Sequence, residues 1–539
     1  MSAISVTPKN GFDKVDFSQD TDTHLMLELQ GQEITGSTRA PLDIIDVVDH
    51  SSSMATANKL VHTKKSLELK INHMSTGDFL TIIAYNSYAT VVLPRTEMNA
   101  AGKQKARDAV SALRAVGGTD YGQALGTLRQ ELSSNGTKDK FIRRVIWFSD
   151  GCPSSGEMRS DVLVDICKDT PDGWQFTTMG YGLQRDDLMQ LSDQASGSGT
   201  APYGSGIRNH GYVGIGNFSP SSQPTGMSGE VNIGLLQGMA DAGHGNFYYM
   251  KDADSASQAF ANELGGLLST VGQQIKIDIT AVKDRVDIKE VLEDLDVEDK
   301  GEKLIVSIPD IMSGETKYVT MPIVCKKRDA DEPHRPAKIA QIKVTFLNPT
   351  TGNMETVEVT PKIQWVKPEK KSTEIHPDVK TELAVIEAIK AQEAAGKMAD
   401  AGNYAGAGQI LADCAVNLRS TGTSRGMDLG LKYGETICMV NNEQGYRRSK
   451  AVYATSSSEL KRGRAAGGVL GATLSNAAQK GMAQAFQADW DAGPGPADPD
   501  LGHCAVHPKQ QNSGAASPVV DDQPVKTASR SKTSKTVRY

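Results

Sequence analysis

The stretch Asp46-Val47-Val48-Asp49-His50-Ser51-Ser52-Ser53-Met54 decides the reading of this chain. Ile44, Ile45, Val47 and Val48 make a short apolar run, the mark of a strand buried on both faces. It stops abruptly at a carboxylate followed by three hydroxyls. Open α/β sheets hold their ligands in the crevice outside the carboxyl ends of their strands. The spacing Asp49-x-Ser51-x-Ser53 puts one carboxylate and two alternate hydroxyls on one side of a tight loop. Such oxygen donors suit a hard cation, Mg²⁺ first and Ca²⁺ or Mn²⁺ next. Asp46 stands mid-strand where an apolar residue is expected; a carboxylate buried there needs a partner, which the spacing does not name.

Two further segments supply the rest of an oxygen site. Gly117-Gly118-Thr119-Asp120 is a glycine-permitted loop that presents a hydroxyl, and Val145-Ile146-Trp147-Phe148-Ser149-Asp150-Gly151 is a second apolar strand ending in a carboxylate. In order and spacing the set Asp49, Ser51, Ser53, Thr119 and Asp150 resembles the metal-ion-dependent adhesion site of von Willebrand factor A domains. The resemblance implies that Ser51, Ser53 and Thr119 contact the ion directly, and that Asp49 and Asp150 act partly through water. One departure is Ser52, where the family usually has Gly; the expectation is a stiffer loop with the metal retained. His50 is not required by the pattern.

Working outward, the chain from about Pro41 alternates strand and helix, the signature of a sheet covered on both faces. Helices are expected over 58–74, 103–115, 121–132 and 159–168, and strands over 79–85, 90–93, 142–148, 174–181 and 246–250, with a closing helix over 253–270. The fold class is therefore α/β over residues 41–270: a doubly wound, mostly parallel, Rossmann-like sheet, as the A-domain resemblance also implies. Residues 195–229, rich in Gly, Ser and Pro, read as a loop inserted on the metal's edge of the sheet and a candidate for partner selection. Residues 271–367 switch to period two, as in Ile275, Ile277 and Ile279, and predict a β-sandwich domain. Leu25, Leu27 and Leu29 alternate in the same way, so residues 1–40 should lend that domain a strand, with residues 1–22 loose. A helical module is expected over 374–465, opened by Pro377 at a first helical turn, and an unstructured basic tail over 493–539.

This order, with Phe260 to Ser269 closing the α/β segment and Ala-Gly-Asn-Tyr-Ala-Gly-Ala in the helices that follow, resembles intracellular A-domain proteins of plants and protists. Those carry a C-terminal helical module of the Vwaint kind, found also before Hint domains. Some plant members are RING-type ubiquitin ligases, but the cysteine and histidine spacing of a cross-braced zinc pair is absent here, so ligase activity does not carry over.

A net charge of −7 argues against a general nucleic-acid binder. The six cysteines are scattered, with no C-x-x-C pair, which fits a reducing compartment and a cytoplasmic location. No apolar stretch is long enough to span a membrane, and residues 1–20 lack the apolar core of a signal peptide. Ser51 and Ser53 lack the G-x-S-x-G setting of a nucleophile, and His503-Cys504-Ala505-Val506-His507 has no fourth ligand. The expectation is a non-catalytic adaptor whose metal captures an Asp or Glu of a partner protein. The alternatives are a scaffold whose metal only stiffens the loop, a subunit of a ubiquitin-ligase or AAA⁺ chelatase-like assembly, and a metal-dependent hydrolase using Asp49 and Asp150.

Overall fold

The computed structural model describes residues 2–33, 39–134, 141–150, 153–171, 173–182, 232–250, 253–328, 335–462 and 477–491. The 195–229 segment, the 493–539 tail and its His503–His507 cluster lie outside the described residues.

Six strands form one sheet, in the order Ala89–Glu97, Phe79–Tyr85, Leu42–Asp49, Ile142–Ser149, Trp174–Tyr181, His244–Met250. All neighbours are parallel except the first pair, an antiparallel edge hairpin. From Leu42–Asp49 the chain first builds outward to one edge, then crosses back to lay Ile142–Ser149 on the other side. The metal strand of the sequence reading therefore sits at the point where the winding reverses, which is where such sheets open a crevice.

Alternate residues of that strand serve opposite faces. Ile44 and Val48 join a core with helices Lys59–His73, Ala100–Ala112 and Ala253–Leu268. Ile45 and Val47 join another with helices Tyr121–Ser134, Ser160–Lys168 and Ile233–Ala242. In the latter, Trp147 packs against Tyr85 and Tyr121, each with ring centroids 5.0 Å away, and against Phe176. The strand expected over 90–93 runs longer, Ala89–Glu97, and the helix expected over 103–115 begins earlier, at Ala100, where Asn99 caps it by accepting from the Gly102 N–H. Helix Ile233–Ala242 falls where the sequence reading assigned no element; Asn232 caps it by accepting from Leu235 N–H at 3.1 Å.

The β-rich part is a sandwich. One sheet has the order Ile4–Asn10, Thr21–Gly31, Thr316–Cys325, Val286–Ile288; the other has Asp296–Asp299, Leu304–Met312, Thr270–Ala281, Ala340–Asn348, Asn353–Val359. Leu25, Leu27 and Leu29 of the first sheet and Ile275, Ile277 and Ile279 of the second share one core. The α/β segment is thus inserted between strands of this sandwich. Residues 1–22 are not loose: Ile4–Asn10 pairs antiparallel along Thr21–Gly31, and Lys14–Asp16 pairs parallel with Lys362–Val366. An edge strand carrying Pro8 and few apolar residues is stabilised by its neighbour rather than by its own pattern.

The two parts meet at a buried ion cluster. Arg144, on the strand Ile142–Ser149, reaches Glu263 of the closing helix at 3.0 Å and Asp310 of the sandwich strand Leu304–Met312 at 3.3 Å. Burial works to raise the Glu263 carboxyl, but Arg144 and hydrogen bonds from Asn246, Thr177 and Tyr248 hold it below the usual range. Helices Pro377–Asp400, Tyr404–Ser420, Ser424–Val440 and Glu443–Arg462 pack around Leu411, Leu418, Leu429 and Tyr433. They dock on the sandwich through Lys9–Asp378 at 2.6 Å and Arg425 over the Tyr318 ring. A further helix, Ala477–Asp491, lies beyond the module expected over 374–465. It packs on Ala253–Leu268, where Gln479 Nε2 donates to the Asn262 carbonyl at 3.1 Å.

Candidate metal centre

Strand Leu42–Asp49 is buried throughout and ends at Asp49, after which a short 3₁₀ helix, Ser52–Asn58, leads to helix Lys59–His73. Asp49 is held on both oxygens. Oδ1 accepts from the Ser51 N–H at 2.8 Å, the local turn that Asp favours, and Oδ2 accepts from Ser149 Oγ at 2.7 Å. Ser149 in turn receives the Tyr121 hydroxyl at 2.7 Å. The Ser51 and Ser53 hydroxyls lie 3.0 Å apart.

The other two segments are laced to this loop by backbone bonds. The Ser52 N–H and hydroxyl both donate to the Gly117 carbonyl, at 3.0 and 2.9 Å. Ser52 therefore ties the loop to the Thr119 segment. Gly117 has φ +86°, a conformation that other residues adopt with strain. Thr119 is nearly buried; its N–H donates to Ser154 Oγ and its carbonyl accepts from the Ser154 N–H, both at 2.8 Å. Ser154 follows Asp150 closely, so all three predicted segments meet at one end of the sheet. His50 serves the same lacing: its N–H donates to the Tyr85 carbonyl, its own carbonyl accepts from Val116, and Nδ1 donates to the Arg114 carbonyl at 2.9 Å.

Asp150 has a partner that the sequence reading missed. Lys59 Nζ donates to Asp150 Oδ2 at 3.0 Å, with side-chain exposures of only 1% and 5%. Asp49 is pushed up to about 7, first by burial and then by the nearby Asp150 charge. Asp46, whose partner spacing could not name, meets Lys70 of the same helix as Lys59. Burial pushes Asp46 up and Lys70 down, and their contact opposes both. A signal for both lysines was present. Lys59, Thr63, Ser66 and Lys70 recur at helical spacing, and all four are buried on the face turned to the sheet.

The donor set fits a hard divalent ion. Of the two buried carboxylates Asp150 meets the Lys59 ammonium and Asp49 accepts from Ser51 and Ser149, with further hydroxyls beside them, so the donors are all oxygen and negative charge exceeds positive once both acids are ionised. Among the described residues no group of three or more His, Cys, Asp or Glu side chains could hold a metal, so soft-ligand sites do not compete with it there.

Residues 44–153 match the model of the von Willebrand factor type A domain. The chain carries a von Willebrand A domain. Domains of this family generally mediate protein–protein interaction and often bind a divalent metal. Over 154 residues the chain is 25% identical to human inter-alpha-trypsin inhibitor heavy chain H4, covering 28% of this chain and 16% of that protein. Over 237 residues it is 22% identical to the uncharacterized protein YfbK of Escherichia coli (strain K12), covering 44% and 33%. The matched parts are thus well under two thirds of either relative. In fold it is similar to a von Willebrand factor type A protein from Catenulispora acidiphila, with TM-score 0.56, 14% identity and coverage of 80% of this chain and 89% of that one. It is also similar to the ArnB paralog VWA2 from Sulfolobus acidocaldarius, with TM-score 0.52, 12% identity and coverage of 85% and 99%. Both likenesses are of fold alone, and both reach beyond the A domain into the rest of the chain. Among the described residues no helix is long and apolar enough to cross a membrane.

Proposed function

We propose that this chain is a non-catalytic, metal-dependent binding protein of the cytoplasm that captures an acidic side chain of a partner protein. Asp49, Ser51, Ser53, Thr119 and Asp150 would hold the ion, Mg²⁺ in preference, with Mn²⁺ or Ca²⁺ as substitutes. A bound divalent ion would supply an open position for a carboxylate. The observation that carries this is the pairing of two buried carboxylates with adjacent serine hydroxyls at the strand end where the sheet's winding reverses.

The surroundings support binding over catalysis. The two serine hydroxyls contact each other rather than a base, and His50 is engaged in holding its loop. The loops around the site present apolar side chains to solvent: Tyr88 is 75% exposed, Val116 54% and Met158 60%. These loops are bound to one another, Asn86 Nδ2 donating to the Val116 carbonyl at 2.9 Å and Gly118 N–H to Ser87 Oγ at 2.9 Å. A partner segment with apolar residues beside its Asp or Glu would cover this rim, and such anchors give selectivity that charge alone lacks. The cysteines Cys167, Cys325, Cys414 and Cys438 are free thiols, in keeping with a reducing compartment. The helices over 377–462 would then be a C-terminal module like that of plant and protist A-domain proteins.

The test is calorimetry with Mg²⁺ or Mn²⁺ on wild type and Asp150→Ala, together with partner capture from a lysate with and without EDTA. Wild type should bind the ion, the variant should lose about tenfold or more in affinity, on the order expected when a group supporting the ion through its outer shell is removed, and EDTA should release the partner. Equal binding by both proteins would refute the site. Partner capture indifferent to EDTA would make the ion a stiffener of the loop only.

A further inference from the structure

A lysine nine-tenths or more buried is costly, several kcal/mol if unpaired, and the chain places two of them on one helix face. Their surroundings differ. Lys70 meets Asp46 Oδ2 beneath the helix, at mid-strand and away from the strand end. Lys59 meets Asp150 at the strand end, where Asp49 is close enough that the two carboxylates repel, and where the Ser51 and Ser53 hydroxyls stand. Its position is fixed by the backbone. Asn58, just before the helix, is held at φ 57°, a left-handed conformation uncommon outside glycine, and this turn sets Lys59 as the first helical residue. The Thr63 hydroxyl donates to the Lys59 carbonyl at 2.9 Å and secures that first turn.

We propose that Lys59 is a built-in counter-charge that makes the divalent ion and the acidic ligand bind together rather than separately. The inference rests on the metal reading above and adds a residue outside the ligand set. With both carboxylates ionised, as at pH 8, Asp49, Asp150 and Lys59 leave the pocket with one net negative charge. A divalent ion turns this into one net positive charge in a nearly buried place, where charge is weakly screened. An incoming carboxylate restores neutrality. Lys59 therefore opposes the ion when the open position holds only water and favours the carboxylate once the ion is present. Linkage makes the effect reciprocal: an anion must tighten the ion by the factor by which the ion tightens the anion. Without Lys59 the ion alone would neutralise Asp49 and Asp150, and the demand for an external anion would fall.

The experiment uses the full chain and three proteins, wild type, Lys59→Met and Lys59→Arg. Mn²⁺ affinity is measured by calorimetry at pH 8 in carboxylate-free buffer and again with excess acetate as the probe anion. Lys59→Met should bind Mn²⁺ about tenfold or more tightly than wild type without acetate, as expected when a like charge is removed from a buried site. Acetate should tighten the ion markedly in wild type and in Lys59→Arg, and little in Lys59→Met. Should Lys59→Met fold only with metal, the rise in Tm on adding Mn²⁺ gives the same comparison and should exceed that of wild type. Wild type that binds no Mn²⁺ would overturn the metal reading itself. Wild type that binds, with Lys59→Met equal or weaker and with the same acetate effect, would overturn the role of Lys59 and leave the metal site standing.

Discussion

Replacing Lys70 by Met isolates the cost of the second buried charge. In the wild type Lys70 is the partner of Asp46, and both are essentially without solvent. In Lys70→Met the Asp46 carboxylate must stay charged without a partner or take up a proton. The second is cheaper and sets the magnitude. Protonating a carboxyl of ordinary pKa near 3.9 at pH 7 costs about 1.36 kcal/mol for each of some three pH units, or about 4 kcal/mol. That agrees with the roughly 3–5 kcal/mol lost when one member of a buried pair is removed. The sign follows from proton uptake. Folded Lys70→Met keeps Asp46 protonated where the unfolded chain has released the proton, so its stability falls as pH rises from about 4 to 7. The deficit against wild type should shrink toward acid by up to about 1.4 kcal/mol per pH unit, the burial that already raises Asp46 in the wild type taking part of that slope. The double variant Asp46→Asn/Lys70→Met should recover most of the loss, because neither charge remains. The assay is hydrogen exchange of strand Leu42–Asp49 in the full chain at pH 5 and 7, which reads this sheet without requiring the whole chain to unfold as one. A deficit under about 1 kcal/mol, or one that does not change with pH, would refute the reasoning.

Two other perturbations test the rest of the frame. Glu293 is pushed up to about 7, first by burial and then by the nearby Glu382 charge, while hydrogen bonding from Thr320, whose N–H donates to Oε2 at 2.8 Å, opposes the rise. As a raised acid it favours the folded state below the ordinary glutamate range and loses that advantage as pH climbs to about 7, so Glu293→Gln should raise stability at pH 8 by up to about 3 kcal/mol and flatten the profile; a variant no more stable than wild type at pH 8 in thermal melts would count against it. Deleting residues 1–38 removes Thr21–Gly31, which lies between Ile4–Asn10 and Thr316–Cys325, and with it the buried Leu25, Leu27 and Leu29, each worth about 1.5–3 kcal/mol. The sandwich should then lose exchange protection at Ile275–Ile279 and expose apolar surface to a dye, whereas a truncated chain that melts like the full one would show the pairing to be dispensable.

Much of the fold was legible because burial on both faces leaves a plain mark. Trp174–Tyr181 reads as a strand from its composition alone, and its observed ends are those expected. Period two in Leu25, Leu27 and Leu29 matched period two in Ile275, Ile277 and Ile279, and the two sets do face one another across the sandwich. What escaped the reading lacks a pattern of its own. Ile4–Asn10 has Ile4 and Val6 as its aliphatic residues and a proline in the middle; its order comes from the ladder with Thr21–Gly31. Ala477–Asp491 is built mainly from small and polar residues, so no apolar stripe announces it, and what holds it is contact with Ala253–Leu268.

The site divides along a similar line. Asp49, Ser51, Ser53, Thr119 and Asp150 could be named because ligand spacing is a property of the chain order. The cations facing the carboxylates could not, because a lysine in a helix is ordinarily a solvated residue and nothing in its own position says otherwise. The information lay in a set rather than a residue. Lys59, Thr63, Ser66 and Lys70 fall on one helical stripe, and Leu60, Leu67 and Ile71 beside them show that this side of the helix faces the sheet. A polar stripe inside an apolar face has no stable place against a hydrocarbon sheet. It requires opposite charge on the strands beneath, and the adjacent strand run offers Asp46 within and Asp49 at its end. Taken together, helix stripe and strand carboxylates pair two lysines with two buried acids and leave one acid over. That surplus negative charge beside the serine hydroxyls is the physical reason a divalent ion suits the site, and the nearness of Lys59 is the reason the ion should be held more firmly once a carboxylate joins it.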